Sequence, residues 1–356
     1  MSNKYEILSL DDSDVWKLYL EKLPVEKQDI YYTPEYYQIY QNYGDGQALC
    51  FVYQDDNKLA LYPFFKNSVN VLGYKLEKEY FDIQGAYGYN GILSNCNDSL
   101  FKSNFFNAFN GFCQDENIIA EFTRFHPLLN NYSFSEQNMT VLKDRKTVCL
   151  DITQSNEQIW KRSYSSNNRN MIRKALKNNV EIIKSTKQED YSEFYNIYVE
   201  TMRNVNSGEY LFFNEQYFED FIIQLPENHK LILAKLDNEI IGGMILMFHK
   251  EYAHYHLSSR KSEFGRYALN NLFLDYAIKE AQKLGCKLFH FGGGNSTNEK
   301  DSLLKFKSNF SKDKSDFYIG KRIHNNKVYQ EVVSQWEQKN PYKIDTLKNV
   351  LLKYRM

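Results

Sequence analysis

The sequence predicts an α/β protein built from two domains of like fold. Each would be a mixed, mostly antiparallel sheet with a crossover helix, and the two would meet over a cleft. Three observations predict it. The 356 residues are enough for two hydrophobic cores. The order hairpin, third strand, helix, strand occurs twice, roughly 180 residues apart, as a duplicated supersecondary unit would. Both hairpins are marked by short polar turns, Asp55-Asp56-Asn57 and Asp237-Asn238. Residue identities hardly match between the halves, so the repeat is one of pattern. The first domain is expected to span 1–150 and the second 151–324, with C-terminal helices in 325–356 returning to the first.

In the first half, Val15 to Leu23 reads as a helix ended by Pro24. Thr33 caps the next helix and Pro34 opens it, because the first helical position needs no N–H. Strands Ala48–Tyr53 and Lys58–Phe65 follow, then a glycine-broken extended stretch, Phe81–Leu93. Ser99–Cys113 is a helix and Ile118–Phe125 a strand.

Between the halves lies WKRSYSSNNRNMIRKALKNNV, from Trp160 to Val180. Asn167 or Asn168 would cap a helix that carries Arg169, Arg173 and Lys177 on one face. Such a face is either solvated or aimed at phosphate, which guanidinium groups fit well. The next helix, Glu189–Val205, would bury Phe194, Tyr195, Tyr198 and Met202. Arg203 sits at its end, where a cation complements the helix dipole.

The second half is organised around Tyr252 to Phe310. A strand, Tyr252–Leu257, leads to a helix over 267–284 with Leu269, Leu272, Phe273, Tyr276, Ala277, Ala281 and Leu284 on one face. Gly285 ends it as a left-handed cap. Strand Lys287–Phe291 runs into Gly292, Gly293 and Gly294, which form a tight turn or offer N–H groups to an anion. A final short helix covers about Asp301 to Phe310. On it Lys307 falls among Leu303, Phe306 and Phe310, while Lys305 points the other way. A lysine in an apolar stripe either snorkels to water or meets an anion or a developing oxyanion.

Composition argues against several classes. A formal net charge of −1 gives no global basic field for nucleic acid. Five scattered cysteines without CxxC argue against a disulfide scaffold or zinc knuckle. No signal-peptide core and no run of transmembrane length is visible, so a cytoplasmic location is expected. Tyrosines number 29, and some are expected to line binding surfaces with their polar tips. His254 and His256 share a strand face by the two-residue period, but no carboxylate or cysteine lies nearby in sequence, and no metal is expected. The triple glycine lacks the lysine and hydroxyl of a P-loop, and no nucleophile elbow is present.

The repeat, the basic segment SYSSNNRNMIRKALKNNVEI, the run YNIYVETMRNV, the stretch YHLSSRKSEFGRYALNNLFLDYAIKEAQKLGCKLFHFGGG and the terminal DSLLKFKSNF carry a family resemblance. Together they resemble the FemAB/FemX-type branch of the GNAT acyltransferase superfamily, over most of residues 150–310 and more loosely over 30–125. The resemblance implies two GNAT-like domains and transfer of an acyl or aminoacyl group to an amine. It implies no tightly bound cofactor. The donor would be an aminoacyl-tRNA, touched only at its acceptor end, or an acyl-CoA. The acceptor would be a lipid-linked or nucleotide-linked cell-envelope precursor, which is compatible with peripheral membrane contact; the oligomeric state stays open.

The family's Phe-Lys pair falls on Phe306 and Lys307, and its central-helix arginine falls on Arg203, with Thr201 two residues before. Lys307 would steady the tetrahedral oxyanion. Arg169, Arg173 and Arg203 would meet a diphosphate or carboxylate of the acceptor, and Tyr255, His256 or Asp275 would assist proton transfer. Tyr255, Gly292 and Gly293 complete the expected substrate site. The stretch Ser262 to Tyr267 departs from the Arg/Gln-x-x-Gly-x-Gly/Ala loop of CoA-binding relatives, and Tyr267 would crowd a pyrophosphate. This favours the aminoacyl-tRNA donor. N-acylation of an amino sugar of a surface glycan from acyl-CoA, and a noncatalytic binder that keeps the fold, are the alternatives.

Overall fold

A computed structural model describes residues 4–205 and 207–356. Its strands, in chain order, are β1 (Tyr5–Leu8), β2 (Gln47–Asp55), β3 (Lys58–Ser68), β4 (Phe81–Gln84), β5 (Leu93–Ser94), β6 (Ile118–Arg124), β7 (Thr140–Asp151), β8 (Glu181–Ser185), β9 (His229–Leu236), β10 (Glu239–His249), β11 (Tyr252–Arg260), β12 (Leu288–Gly293) and β13 (Lys314–Ile323). The α-helices of six residues or more among the described residues are α1 (Ser13–Glu21), α2 (Pro34–Tyr43), α3 (Ser99–Asp115), α4 (Ser166–Lys177), α5 (Gln188–Asn204), α6 (Glu215–Gln224), α7 (Leu269–Lys283), α8 (Ser302–Lys307) and α9 (Asn326–Lys339). The chain forms two compact units: residues 1–27, 31–144 and 317–356, and residues 28–30 and 145–316.

In the first unit the strand order is β1-β2-β3-β4-β6-β13, with β5 beside β3. β2 and β3 pair antiparallel around Asp56, whose φ of 55° makes the turn. β4 and β6 are parallel, as the intervening α3 crossover requires. Phe101, Phe105, Phe109 and Phe112 recur at helical spacing on α3 and bury their rings against Phe51, Tyr53 and Phe64. Edge-to-face pairs such as Phe51–Phe109, at 5.1 Å, suit the ring quadrupoles. Thr33 caps α2 through its side chain and Pro34 occupies the first turn, as expected.

The last forty residues belong to this unit. Val328, Val332 and Trp336 on α9 pack with Val69, Tyr80 and Ile119. Of the helices expected in 325–356, only α9 is long; further on, the chain forms a single turn, Ile344–Leu347, and a 3-10 turn, Lys353–Arg355. There the buried Asp82 carboxylate accepts from Tyr354 Oη at 2.9 Å and Arg355 Nε at 2.7 Å. Arg355 also donates to the Asn67 and Ser68 carbonyls.

In the second unit the order is β7-β12-β11-β10-β9-β8. Asp237 and Asn238, both with positive φ, join β9 to β10 in the two-residue turn the sequence predicts. β11 and β12 are parallel, linked by α7. That helix starts at Leu269, because Tyr267 lies in a preceding 3-10 turn, Ser262–Tyr267. It buries a wider face than the predicted stripe: Leu274, Asp275, Ile278 and Glu280 are buried, while Tyr276 and Leu284 are only partly so. α4 is capped by Ser165, whose Oγ accepts from Asn168 N, and not by Asn167 or Asn168. On α5 the buried side is Tyr191, Phe194, Ile197 and Tyr198; Tyr195 and Met202 are half-buried. All five cysteines are free thiols. Among the described residues no helix is long and apolar enough to cross a membrane.

Candidate functional site

The site grows from the end of β12. A register shift between His290 and Gly292 opposite β7 lets the strand turn, and Gly292 takes a φ of 76° that a β-carbon disfavours. Gly294 is tighter still, since a β-carbon there would lie 2.4 Å from Asp301 Oδ1. Asp301 gathers the loop. One carboxylate oxygen caps α8 by accepting from Leu304 N at 2.9 Å, and the other accepts from Asn295 N, Ser296 N and Ser296 Oγ, each at 3.1 Å. These donors, Leu304 N first, hold the Asp301 carboxyl below the usual range. Asp301→Ala removes the cap and the loop's common acceptor. It is expected to cost about 1–2 kcal/mol of stability, read from the urea midpoint.

α8 is shorter than predicted and its buried positions are Leu304 and Lys307, with Leu303 only half-buried. A 100° step per residue therefore turns the helix one residue further than the sequence suggests. Phe306 packs against the core with its ring 5.8 Å from that of Phe310. Lys307 does not snorkel: it is 7% exposed. Its Nζ donates to the Gly293 carbonyl at 2.7 Å and lies 5.5 Å over the centre of the Tyr255 ring. Burial pulls the ammonium down to about 7, and the Asp301 charge resists only in part. Arg145 on β7, which the sequence did not flag, donates to the neighbouring Gly294 carbonyl at 3.0 Å. Two cationic side chains thus hold consecutive carbonyls of the glycine loop. The group can offer N–H to a developing oxyanion and exchange a proton near neutral pH.

Of the predicted residues, Tyr255, Gly292, Gly293, Phe306 and Lys307 are brought together. The three arginines stand apart. The half-buried Arg169 spends its guanidinium on the Trp160 and Tyr164 carbonyls, which close its own loop. Arg173 is exposed, bonded to Asn170 and lying over the Trp160 ring. Arg203 is exposed at the end of α5 without a side-chain partner among the described residues.

His254 and His256 lie close enough for the charge of one to act on the other, while Ala253 and Tyr255 between and beside them pack into the core. A bulge in β11 leaves His256 as an extra residue between Tyr255 and Leu257. His254 Nε2 lies 2.8 Å from Asp29 Oδ2, a carboxylate far off in sequence. His256 Nε2 lies 2.7 Å from Tyr217 Oη. Nearby, His229 Nδ1 faces the Leu225 carbonyl at 2.6 Å, so it carries the proton, and Nε2 accepts from Tyr191 Oη. Burial lowers His229 to about 4 and His256 to about 3. Asp275, another predicted proton carrier, is tied to Tyr164 Oη and Lys279 Nζ.

Residues 162–307, which hold this site, match the family model described as an acetyltransferase (GNAT) domain. That stretch carries a GNAT domain. The fold agrees along nearly the whole length. The crystal structure of FemX superposes with a TM-score of 0.67 at 14% identity, over 92% of this chain and 98% of that one. L-PGS from Bacillus licheniformis gives 0.56 at 13%, over 87% and 92%. A tandem GNAT protein from the clavulanic acid biosynthesis pathway gives 0.52 at 8%, over 90% and 99%. No curated protein matches the chain. The chain thus has the fold of FemX and of the tandem GNAT protein.

Proposed function

We propose that this GNAT acyltransferase moves an aminoacyl group from aminoacyl-tRNA to an amine of a cell-envelope precursor. The observation that carries the choice of donor is the turn before α7. In CoA-dependent relatives the corresponding loop presents bare N–H groups to a pyrophosphate. Here Ser262–Tyr267 is wound into a 3-10 turn filled by its own side chains. Arg260 folds under it and donates to the Ser262 carbonyl at 3.2 Å, with Nη1 3.0 Å from where a Gly265 β-carbon would lie. Phe264 and Tyr267 pack on the core, and the Arg266 guanidinium covers the Tyr267 ring at 5.1 Å. The fold similarity to FemX and to L-PGS supports the same direction.

The amine nitrogen attacks the ester carbonyl and a tetrahedral oxyanion forms. Lys307 donates an N–H to that oxygen as its charge develops. The C–O bond to the tRNA ribose then breaks, and the departing hydroxyl takes up the proton released by the amine. Phe306 and Tyr255 keep the lysine dry, and Gly293 holds its direction. The acceptor's charged groups would fall to exposed cations such as Arg173 and Arg203.

One observation favours acyl-CoA instead. α7 is preceded by Ala268, in a left-handed conformation with no side-chain cap, so the first N–H groups of the helix keep some affinity for an anion. Titration with acetyl-CoA by calorimetry, beside a transfer assay with aminoacyl-tRNA, separates the two. No saturation with acetyl-CoA and measurable aminoacyl transfer are expected. Micromolar binding of acetyl-CoA would overturn the proposed donor and point to N-acylation of an amino sugar.

A further inference from the structure

The first unit contains a cavity of about 210 Å³ that no step above uses. Its walls come from Ile92, Leu93 and Ser94 on one side and Leu129, Asn130 and Phe134 on the other, with Lys27 and Asn97 at the rim. Lys27 is its sole charged lining residue. This half-buried lysine donates to the Ser94 carbonyl, and among the described residues it has no carboxylate in ion-pair reach. Lys102 on α3 reaches the same wall. Its Nζ donates to the Ser133 carbonyl at 3.2 Å and lies 5.3 Å over the Phe134 ring, again without a carboxylate partner among the described residues. Asp98, the acid next to Asn97, caps α3 and lies 3.9 Å from Lys58.

The walls are held in place without a ligand. Asn131 donates to Tyr32 Oη and the Asn90 carbonyl and accepts from His126 N, each at 2.9 Å. Ser94 Oγ donates to the Leu59 carbonyl at 2.8 Å and accepts from Cys96 N. Two half-buried ammonium groups bonded only to neutral carbonyls are poorly compensated, and an anion in the cavity would meet Lys27 directly and Lys102 through its field. The amides of Asn97 and Asn130 add donors, and Leu93, Leu129 and Phe134 offer an apolar flank. The volume equals roughly seven waters at about 30 Å³ each, room for a phosphate and a short organic body.

We propose that this cavity is a binding site for a small organic phosphate, with Lys27 as its cationic ligand and Lys102, bonded to the Ser133 carbonyl of its wall, adding positive charge. It lies wholly in the first unit and stands or falls independently of the donor chemistry at Lys307.

Calorimetric titration with inorganic phosphate and glucose 1-phosphate tests it, in the wild type and in Lys27→Gln/Lys102→Gln. Glutamine keeps an N–H for each carbonyl. Saturable binding, weakened at least tenfold in the double variant at an unchanged melting temperature, is the expected result. Asn97→Ala, at an exposed position, gives a second variant should the double one melt early, and it too should weaken binding. No saturation up to about 10 mM with either probe, or equal affinity in a folded variant, would overturn the proposal. Vesicles with and without phosphatidic acid separate the sources. Binding that inorganic phosphate displaces assigns a lipid headgroup, and binding of glucose 1-phosphate alone assigns a soluble ligand.

Discussion

Lys307→Met is expected to give a folded protein that has lost most of its turnover. Removing one positioned donor to an oxyanion typically costs on the order of 10²–10³ in rate. The same change should not destabilise the second unit. An amine that titrates at about 7 in the fold and at 10.5 in the open chain favours unfolding. Above pH 10.5 both states are neutral and there is no penalty. As pH falls towards 7 the unfolded chain takes up the proton first, and the penalty grows to a few kcal/mol. Methionine escapes it and fits the apolar surroundings, although Gly293 loses a donor worth about 1–3 kcal/mol. A melting temperature at or above wild type, with turnover down by two orders of magnitude, is the expected pair of results. Full turnover in the folded variant would remove Lys307 from the chemistry. Lys307→Arg supplies a further check, because a permanently charged group should erase any inflection of the pH–rate profile near 7.

The second large effect is acid sensitivity. His229 and His256 are neutral in the fold, at about 4 and about 3, against 6.5 in the open chain. Their contribution is fully present above pH 6.5 and is lost as pH falls towards those lower values. Between pH 6.5 and 5 each histidine can withdraw about 2 kcal/mol of stability. His256 keeps some contact with solvent, so its share should be the smaller. A lower urea midpoint at pH 5 than at pH 7.5 is expected, with a flatter dependence in His229→Asn/His256→Asn. A wild-type midpoint unchanged between those pH values would show that these rings can protonate without disturbing the fold.

Local features were readable in the sequence where one element decides them. The Thr33-Pro34 start of α2, the Asp237-Asn238 turn and the ring row of α3 follow from backbone preference and periodicity. Lys307 stood out because a charge interrupted an apolar stripe. Its neighbour was misjudged, since Leu303 and Leu304 are identical in chemistry and only the path of the loop into α8 decides which one faces inward. Contacts between distant parts of the chain left no local trace. Arg145 meets Gly294 across 149 residues, and Asp29 meets His254 across 225. The bulge at His256 was invisible for another reason: an extra residue on one strand exists only relative to its partner. Arg169 misled because a basic helical face looks the same whether it meets phosphate, water or its own backbone.

The burial of Tyr354 and Arg355 on Asp82 has a consequence for the order of events at the ribosome. Residues 145–316 include all but three residues of the second unit and emerge as one stretch, whereas the first unit draws on both sides of that stretch. At roughly 5–20 residues per second, translation of the intervening stretch takes on the order of ten to thirty seconds. Throughout that time β6 lacks β13, and Asp82 lacks the cation that offsets its burial. The second unit can therefore complete its core while the first still waits with an open sheet edge, which is the interval in which a nascent chain most needs a chaperone.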